Sequence, residues 1–171
     1  MSDLSCTTSI NYDSILNYCD FNEVNSFSYE QLFQTMRQLR LPYTDAEELF
    51  RRMVFNVLAR NCDDHTKNFA FLLKQGGDWQ LAPAYDICHA YRPDSQWVSQ
   101  HALSINDKRK DIDANDFLKI AKAMSIKNFK KIMGRIDQVV SKWESFADTT
   151  QVDVSKKVAI KNTLIHLKDI S

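Results

Sequence analysis

Asp63 and Asn68 stand five residues apart in the polar run Asn61-Cys62-Asp63-Asp64-His65-Thr66-Lys67-Asn68. A carboxylate and an amide at this D-x-x-x-x-N spacing can divide the labour of phosphoryl transfer. The Asp accepts the proton of an attacking hydroxyl, and the Asn oxygen is a neutral, hard ligand for Mg²⁺. One amide does not neutralise a metal that bridges phosphates, so a second carboxylate is required. Asp86, in Pro83-Ala84-Tyr85-Asp86-Ile87, supplies one at a point where a folded-back hairpin would return the chain to the loop. Read without chemistry, the same run is a solvated loop with helix-end hydrogen bonds. The order of elements around it favours the chemical reading.

Those elements are a buried helix before the loop and a hairpin after it. Ser28 with Gln31 forms a capping-box pattern, and Leu32, Phe33, Met36 and Leu39 follow at helical spacing, predicting a helix over about 29–39 that ends before Pro42. Thr44 with Glu47 repeats the pattern. Ala46, Leu49, Phe50, Met53, Val54, Val57 and Leu58 then mark a buried helix over about 45–60. Phe69 to Leu73, Gly76-Gly77 and Trp79 to Leu81 read as a hairpin. Beyond an irregular stretch over 83–110, with a short strand expected at 102–105, the chain reads as helix. A short helix covers 116–124, the longest covers 127–147 on a stripe from Phe129 to Phe146, and a last one covers 154–167. Residues 1–27 are polar and weakly periodic, with at most one short helix around Tyr12 to Cys19. The expected organisation is an irregular segment, 1–27, followed by a mainly α-helical unit, 28–171.

Composition narrows the function classes. The 171 residues carry 22 Lys and Arg against 22 Asp and Glu, a zero net charge that argues against a dedicated nucleic-acid or anionic-membrane surface. Lys108-Arg109-Lys110 is followed by Asp111 and Asp113 and reads as a solvated turn. Cys6, Cys19, Cys62 and Cys88 show no metal-ligand spacing, so reduced thiols in a cytosolic setting are expected, with Cys62 and Cys88 as small buried apolar groups. His89 and His101 read as satisfied polar groups, and Trp79, Trp97 and Trp143 as packing residues. The only glycines are Gly76, Gly77 and Gly134, so no GxGxxG or GxxxxGK[ST] phosphate cradle can be written in this chain.

The combination D-x-H-x-K-N with P-x-Y-D, together with His101-Ala102-Leu103-Ser104-Ile105-Asn106, resembles the HipA family of bacterial toxin kinases from about Tyr18 onward. That resemblance implies the helical large lobe of a kinase-like fold with a small hairpin beside the catalytic loop. It implies that Asp63 is the catalytic base, that Asn68 and Asp86 hold Mg²⁺ and through it ATP, and that His65 and Lys67 are the characteristic residues between them. Asp64 is expected to be structural or electrostatic. His65 is expected to pack within the loop, and Lys67 to contact phosphate or pair with a carboxylate.

The resemblance also implies a protein serine as acceptor, as in relatives acting on an aminoacyl-tRNA synthetase, and restraint by a HipB-like DNA-binding antitoxin. The family's nucleotide-binding lobe, with its Gly-rich loop and ATP-binding lysine, is not found in these residues and is expected to come from a separate chain or to be lost. A non-catalytic helical module that keeps the loop as scaffold is the alternative. The intact Asp63, Asn68 and Asp86 favour retained chemistry.

Overall fold

The computed structural model describes residues 8–11 and 27–170. Among them, strand β1 is Thr8–Asn11, helix α1 is Tyr29–Gln38 and α2 is Tyr43–Leu58. A 3-10 turn over Thr66–Asn68 leads into β2, Ala70–Leu73, and β3, Trp79–Leu81. Four further helices follow: α3, Ala114–Ala123; α4, Phe129–Val140; α5, Trp143–Thr149; and α6, Val154–Lys161. A 3-10 turn over Leu167–Asp169 comes last. The mainly α-helical class with a small sheet is as expected.

Helix α1 begins with the expected capping box, the Ser28 hydroxyl accepting from Gln31 N and the Gln31 side chain accepting from Ser28 N. The second expected box does not form. Helix α2 starts two residues earlier than expected, at Tyr43, with Pro42 in extended backbone as its N-cap and no side-chain cap. The Tyr43 hydroxyl instead donates to Glu47 one turn on.

The centre of the core is α2. Leu49, Phe50, Met53, Val54, Val57 and Leu58 are buried, and they share one core with α4 residues Ile132, Met133, Ile136 and Val140, with Leu32, Phe33 and Met36 of α1, and with Phe117 and Ile120 of α3. Its end sets up the loop that follows. Arg60 turns into the left-handed region at φ 58°, Arg60 N donates to Val57 O, and Asn61 N reaches back to Asn56 O, so the helix terminates in a Schellman motif without glycine.

The hairpin turns where the two glycines stand, at φ 109° and 93°, values that an L side chain would strain. It is one strand larger than expected. Thr8–Asn11, placed in the irregular segment by sequence, pairs antiparallel with β2, giving the order β1-β2-β3. The helix expected around Tyr12 to Cys19 lies outside the described residues.

The single helix expected over 127–147 is two. Lys142 N bonds Val139 O, an i→i−3 closure, and the Lys142 backbone at ψ 9° ends the helical run before α5 restarts. The stripe breaks with it: Phe146 is 50 % exposed, and Ala147 is the residue of α5 that reaches the core. That leaves α2, of 16 residues, as the longest described helix. Residues 102–105 make isolated bridges through Ser104 and Ile105 in place of the expected strand. The last helix stops at Lys161, well short of 167, and Ile165 N then ties the chain end to Leu58 O.

Phe50 is fully buried at the centre of α2. Phe50→Ala is expected to cost about 3–5 kcal/mol of unfolding free energy, against a change within about 0.5 kcal/mol for Val154→Ala on exposed α6. Urea denaturation of both variants measures the contrast.

Candidate active site

The loop between α2 and β2 is anchored on both sides of Asp63. Before it, Cys62 N donates to Ala90 O at 3.0 Å and Cys62 O accepts from Ala102 N at 3.1 Å. After it, the Asp64 carboxylate is buried and saturated. Its Oδ1 accepts from Ala102 N at 2.8 Å and Leu103 N at 3.5 Å, and its Oδ2 accepts from the Tyr29 hydroxyl at 2.8 Å and lies 3.0 Å from His101 Nδ1. Asp63 is left with a half-exposed side chain between two fixed neighbours. A buried carboxylate is tolerated only when its lone pairs are satisfied and its charge is matched, which makes Asp64 the structural member of the Asp63-Asp64 pair, as expected.

His101 matches that charge. Burial of the ring works against protonation, but the adjacent Asp64 carboxylate outweighs it and pushes the His101 pKa up to about 10, so the ring is an imidazolium at neutral pH. Burial, reinforced by the same carboxylate, also holds the Tyr29 hydroxyl well above its usual value and keeps it a donor. The Asn56 amide donates to the Tyr29 oxygen at 2.9 Å and accepts from Asn61 at 3.1 Å, extending the network into α2.

Asn68 ends the 3-10 turn. Its Nδ2 donates to Asp63 O at 2.8 Å, which closes the loop on itself and leaves Oδ1 as the acceptor end of the amide. His65 Nε2 lies 3.8 Å from an Asp63 carboxylate oxygen, beyond a hydrogen bond, and its buried Nδ1 has no partner. The Lys67 side chain is exposed, while its backbone O accepts from the Tyr85 hydroxyl at 2.7 Å.

That last bond brings the Asp86 segment back to the loop. Asp86 follows Tyr85 directly and takes up the left-handed region, φ 51°, which Asp tolerates better than most residues. The segment is delivered there by α2. The Asp45 carboxylate accepts from Leu81 N at 2.7 Å, and the buried Arg52 guanidinium donates to Ala82 O at 2.8 Å while Glu48 holds its Nε. Partial desolvation of the Cys88 thiol raises its pKa, and the carboxylates of Asp86 and Asp63 act in the same direction.

The Tyr85–Lys67 bond thus sets the backbone that carries Asp86 against the loop that carries Asp63, His65, Lys67 and Asn68. Three expectations are corrected. Cys88 is exposed, because its short segment runs along the surface beside Asp86. Trp97 is 70 % exposed in the irregular stretch and packs no core. The Thr44–Glu47 cap is replaced as described above. His89, in contrast, is satisfied as expected, its Nε2 lying 2.7 Å from the Thr163 hydroxyl.

Sequence reasoning missed Arg52, Asn56 and Tyr85 as positioning groups. For Arg52 and Asn56 a signal was present: both fall within the arc of Leu49 and Met53, where a polar side chain must be buried and partnered. Tyr85 was marked in sequence only as the Tyr of P-x-Y-D, which says nothing of its bond to Lys67 O.

Among the described residues no group of three His, Cys, Asp or Glu side chains can hold a metal ion. The donor set of one amide oxygen and one carboxylate nevertheless suits Mg²⁺, which takes few protein ligands and completes its shell with water and phosphate.

Residues 4–143, more than half of the chain, match the model of the HipA-like C-terminal domain. The chain belongs to that family. It is 26 % identical over 125 residues to the serine/threonine-protein kinase toxin HipA of Shewanella oneidensis, an alignment covering 67 % of this chain and 28 % of that protein. The fold is similar to a chain in the solved complex of Shewanella oneidensis MR-1 HipA, HipB and operator DNA. The TM-score is 0.66 at 19 % identity, over 94 % of this chain and 39 % of that one. The chain therefore spans less than a third of the curated relative and well under half of the structural one.

The charge pairing of Asp64 with His101 sets a pH dependence. The folded-state pKa of His101 lies above its usual 6.5, so the folded form holds a proton that the unfolded form releases. The pair's stabilisation is in full below pH 6.5 and is lost as pH rises towards about 10. The urea midpoint of the native chain is expected to exceed that of His101→Gln by a margin that shrinks between pH 6.5 and pH 10.

Proposed function

We propose that this chain is the catalytic-loop lobe of a HipA-type serine/threonine protein kinase, its main unit running over 28–171 and joined in its sheet by strand β1 of the preceding segment. The observation that carries the reading is the return of the Asp86 segment to the Asp63–Asn68 loop through the Tyr85–Lys67 bond. In this reading Asp63, half-exposed on a fixed backbone, accepts the proton of a serine hydroxyl. Asn68 offers its amide oxygen and Asp86 its carboxylate to Mg²⁺. When bound, the ion supplies neutralisation of charge on the phosphates of ATP. Lys67, exposed beside them, contacts phosphate, and His65 fills the loop next to Asp63.

No glycine-rich phosphate cradle can be written in these 171 residues, so the second wall of the ATP site comes from a nucleotide-binding lobe outside them. Kinase catalysis consists of positioning and electrostatic stabilisation, and one wall alone enforces neither. The expected partners are that lobe, a protein substrate and an antitoxin of the HipB kind, in a cytoplasmic setting. No described helix is long and apolar enough to cross a membrane.

Calorimetric titration of the isolated chain with Mg²⁺-ATP is expected to give no micromolar binding. Phosphotransfer should appear when the nucleotide-binding lobe is supplied, and Asp63→Asn should lower it by about 10²–10⁴-fold. Micromolar affinity in isolation would show that the second wall is dispensable, and unchanged activity in Asp63→Asn would remove Asp63 as the base.

A further inference from the structure

The backbone that presents Asp63 is held from the far side by a segment nearly forty residues on in the chain, and one side chain there carries charge. His101 is buried. Its Nδ1 lies 3.0 Å from Asp64 Oδ2, and its Nε2 lies 3.9 Å from the sulfur of Cys62. The ring thus touches both neighbours of Asp63. Its own backbone is locked: His101 N donates to Arg109 O at 2.8 Å, and Arg109 Nε donates to His101 O at 2.7 Å.

The remaining groups on Asp64 are neutral: the Tyr29 hydroxyl from α1, backed by Asn56 of α2, and the N–H groups of Ala102 and Leu103. Arg109, half-buried, is the other cation within electrostatic reach, and it spends its Nε on a backbone oxygen.

We propose that His101 is a positioning residue for phosphoryl transfer: by clamping Asp64 and packing on Cys62, it fixes the Cys62–Asp64 backbone from which Asp63 projects. The inference rests on the kinase reading above. With a neutral side chain at 101, the buried carboxylate keeps its hydrogen bonds but loses the cation in contact with it. Asp64 is then driven towards water, and the Ala102 N–H contact loosens with it. Asp63 sits on the peptide that would move, and a displacement of about 1 Å at a reacting group can cost on the order of a hundredfold in rate.

The test uses His101→Asn, which keeps a donor near the Nδ1 position and removes the charge. With the nucleotide-binding lobe supplied, the expected result is a kcat lowered by roughly tenfold to a hundredfold with a smaller change in KM for ATP, because the Asp86 segment is held from α2 and through Tyr85, and Asn68 is tied to the Asp63 backbone only through its Nδ2. Amide exchange on the same variant is expected to quicken at Cys62–Asp64 and Ala102 while Phe50 and Phe117 stay protected. An active native enzyme whose kcat ignores the substitution overturns the proposal.

If the native protein shows no Asp63-dependent phosphotransfer, the kinase reading fails by itself. The exchange pattern then decides the positioning role, selective loosening of the loop supporting it and uniform or absent loosening refuting it. Should His101→Asn not fold, carbon-detected NMR of the native chain through the His101 titration replaces it. Asp63 carbons following the His101 ring carbons support the clamp, and Asp63 carbons indifferent to that titration overturn it.

Discussion

A single buried carboxylate, Asp64, joins the parts of this lobe that would otherwise be separate. It takes two backbone N–H groups from the 102–103 segment, a hydroxyl from α1 and a charged ring from His101, and through Tyr29 and Asn56 it reaches α2. An ionised carboxylate without those partners would be too costly to bury, and without the carboxylate the Tyr29 hydroxyl and the Leu103 N–H would lose their acceptor in a dry interior. Each side of the network therefore enforces the other. The rigidity this confers falls on the residues flanking Asp63, whose own side chain remains open to solvent.

Helix α2 plays the complementary role on the other side of the site. Its apolar arc anchors the core against α4, while Asp45 and Arg52 on the same helix grip Leu81 and Ala82 at the end of the hairpin. The loop leaves from the C-terminal end of α2, and the returning strand is caught along its body. One rigid element thus sets both ends of the excursion that carries Asp63 and Asn68, and Asp86 follows just past its second end. The Tyr85–Lys67 bond then fixes the remaining freedom between return and loop.

The apolar stripes of α1 and α2 were legible because burial at helical spacing needs only local pattern, and the hairpin was legible because its glycines must take positive φ. The end of α2 was harder to place, since Arg60 adopts the left-handed turn usually given to glycine. The strand Thr8–Asn11 acquires its partner across some sixty residues, and its sequence alternates too weakly to announce a pairing made by β2. The break at Lys142 is invisible to periodicity, because Trp143 and Phe146 continue the stripe in sequence while the backbone has already turned. At the candidate site, the spacing of Asp63, Asn68 and Asp86 singled out the loop between α2 and β2. The countercharge did not stand out: His101 lies in an irregular stretch, and no local pattern ties it to Asp64.

The central claim is that Asn68 and Asp86, eighteen residues apart in sequence, offer their oxygens to one divalent cation. Titrating Mn²⁺ into the ¹⁵N-labelled chain and following paramagnetic line broadening tests it without requiring turnover. The account predicts that the amides around Asn68 and Asp86 broaden together and at the lowest Mn²⁺ concentrations. Broadening that begins at exposed acids such as Asp111 or Asp153, with Asn68 and Asp86 left sharp, would contradict it.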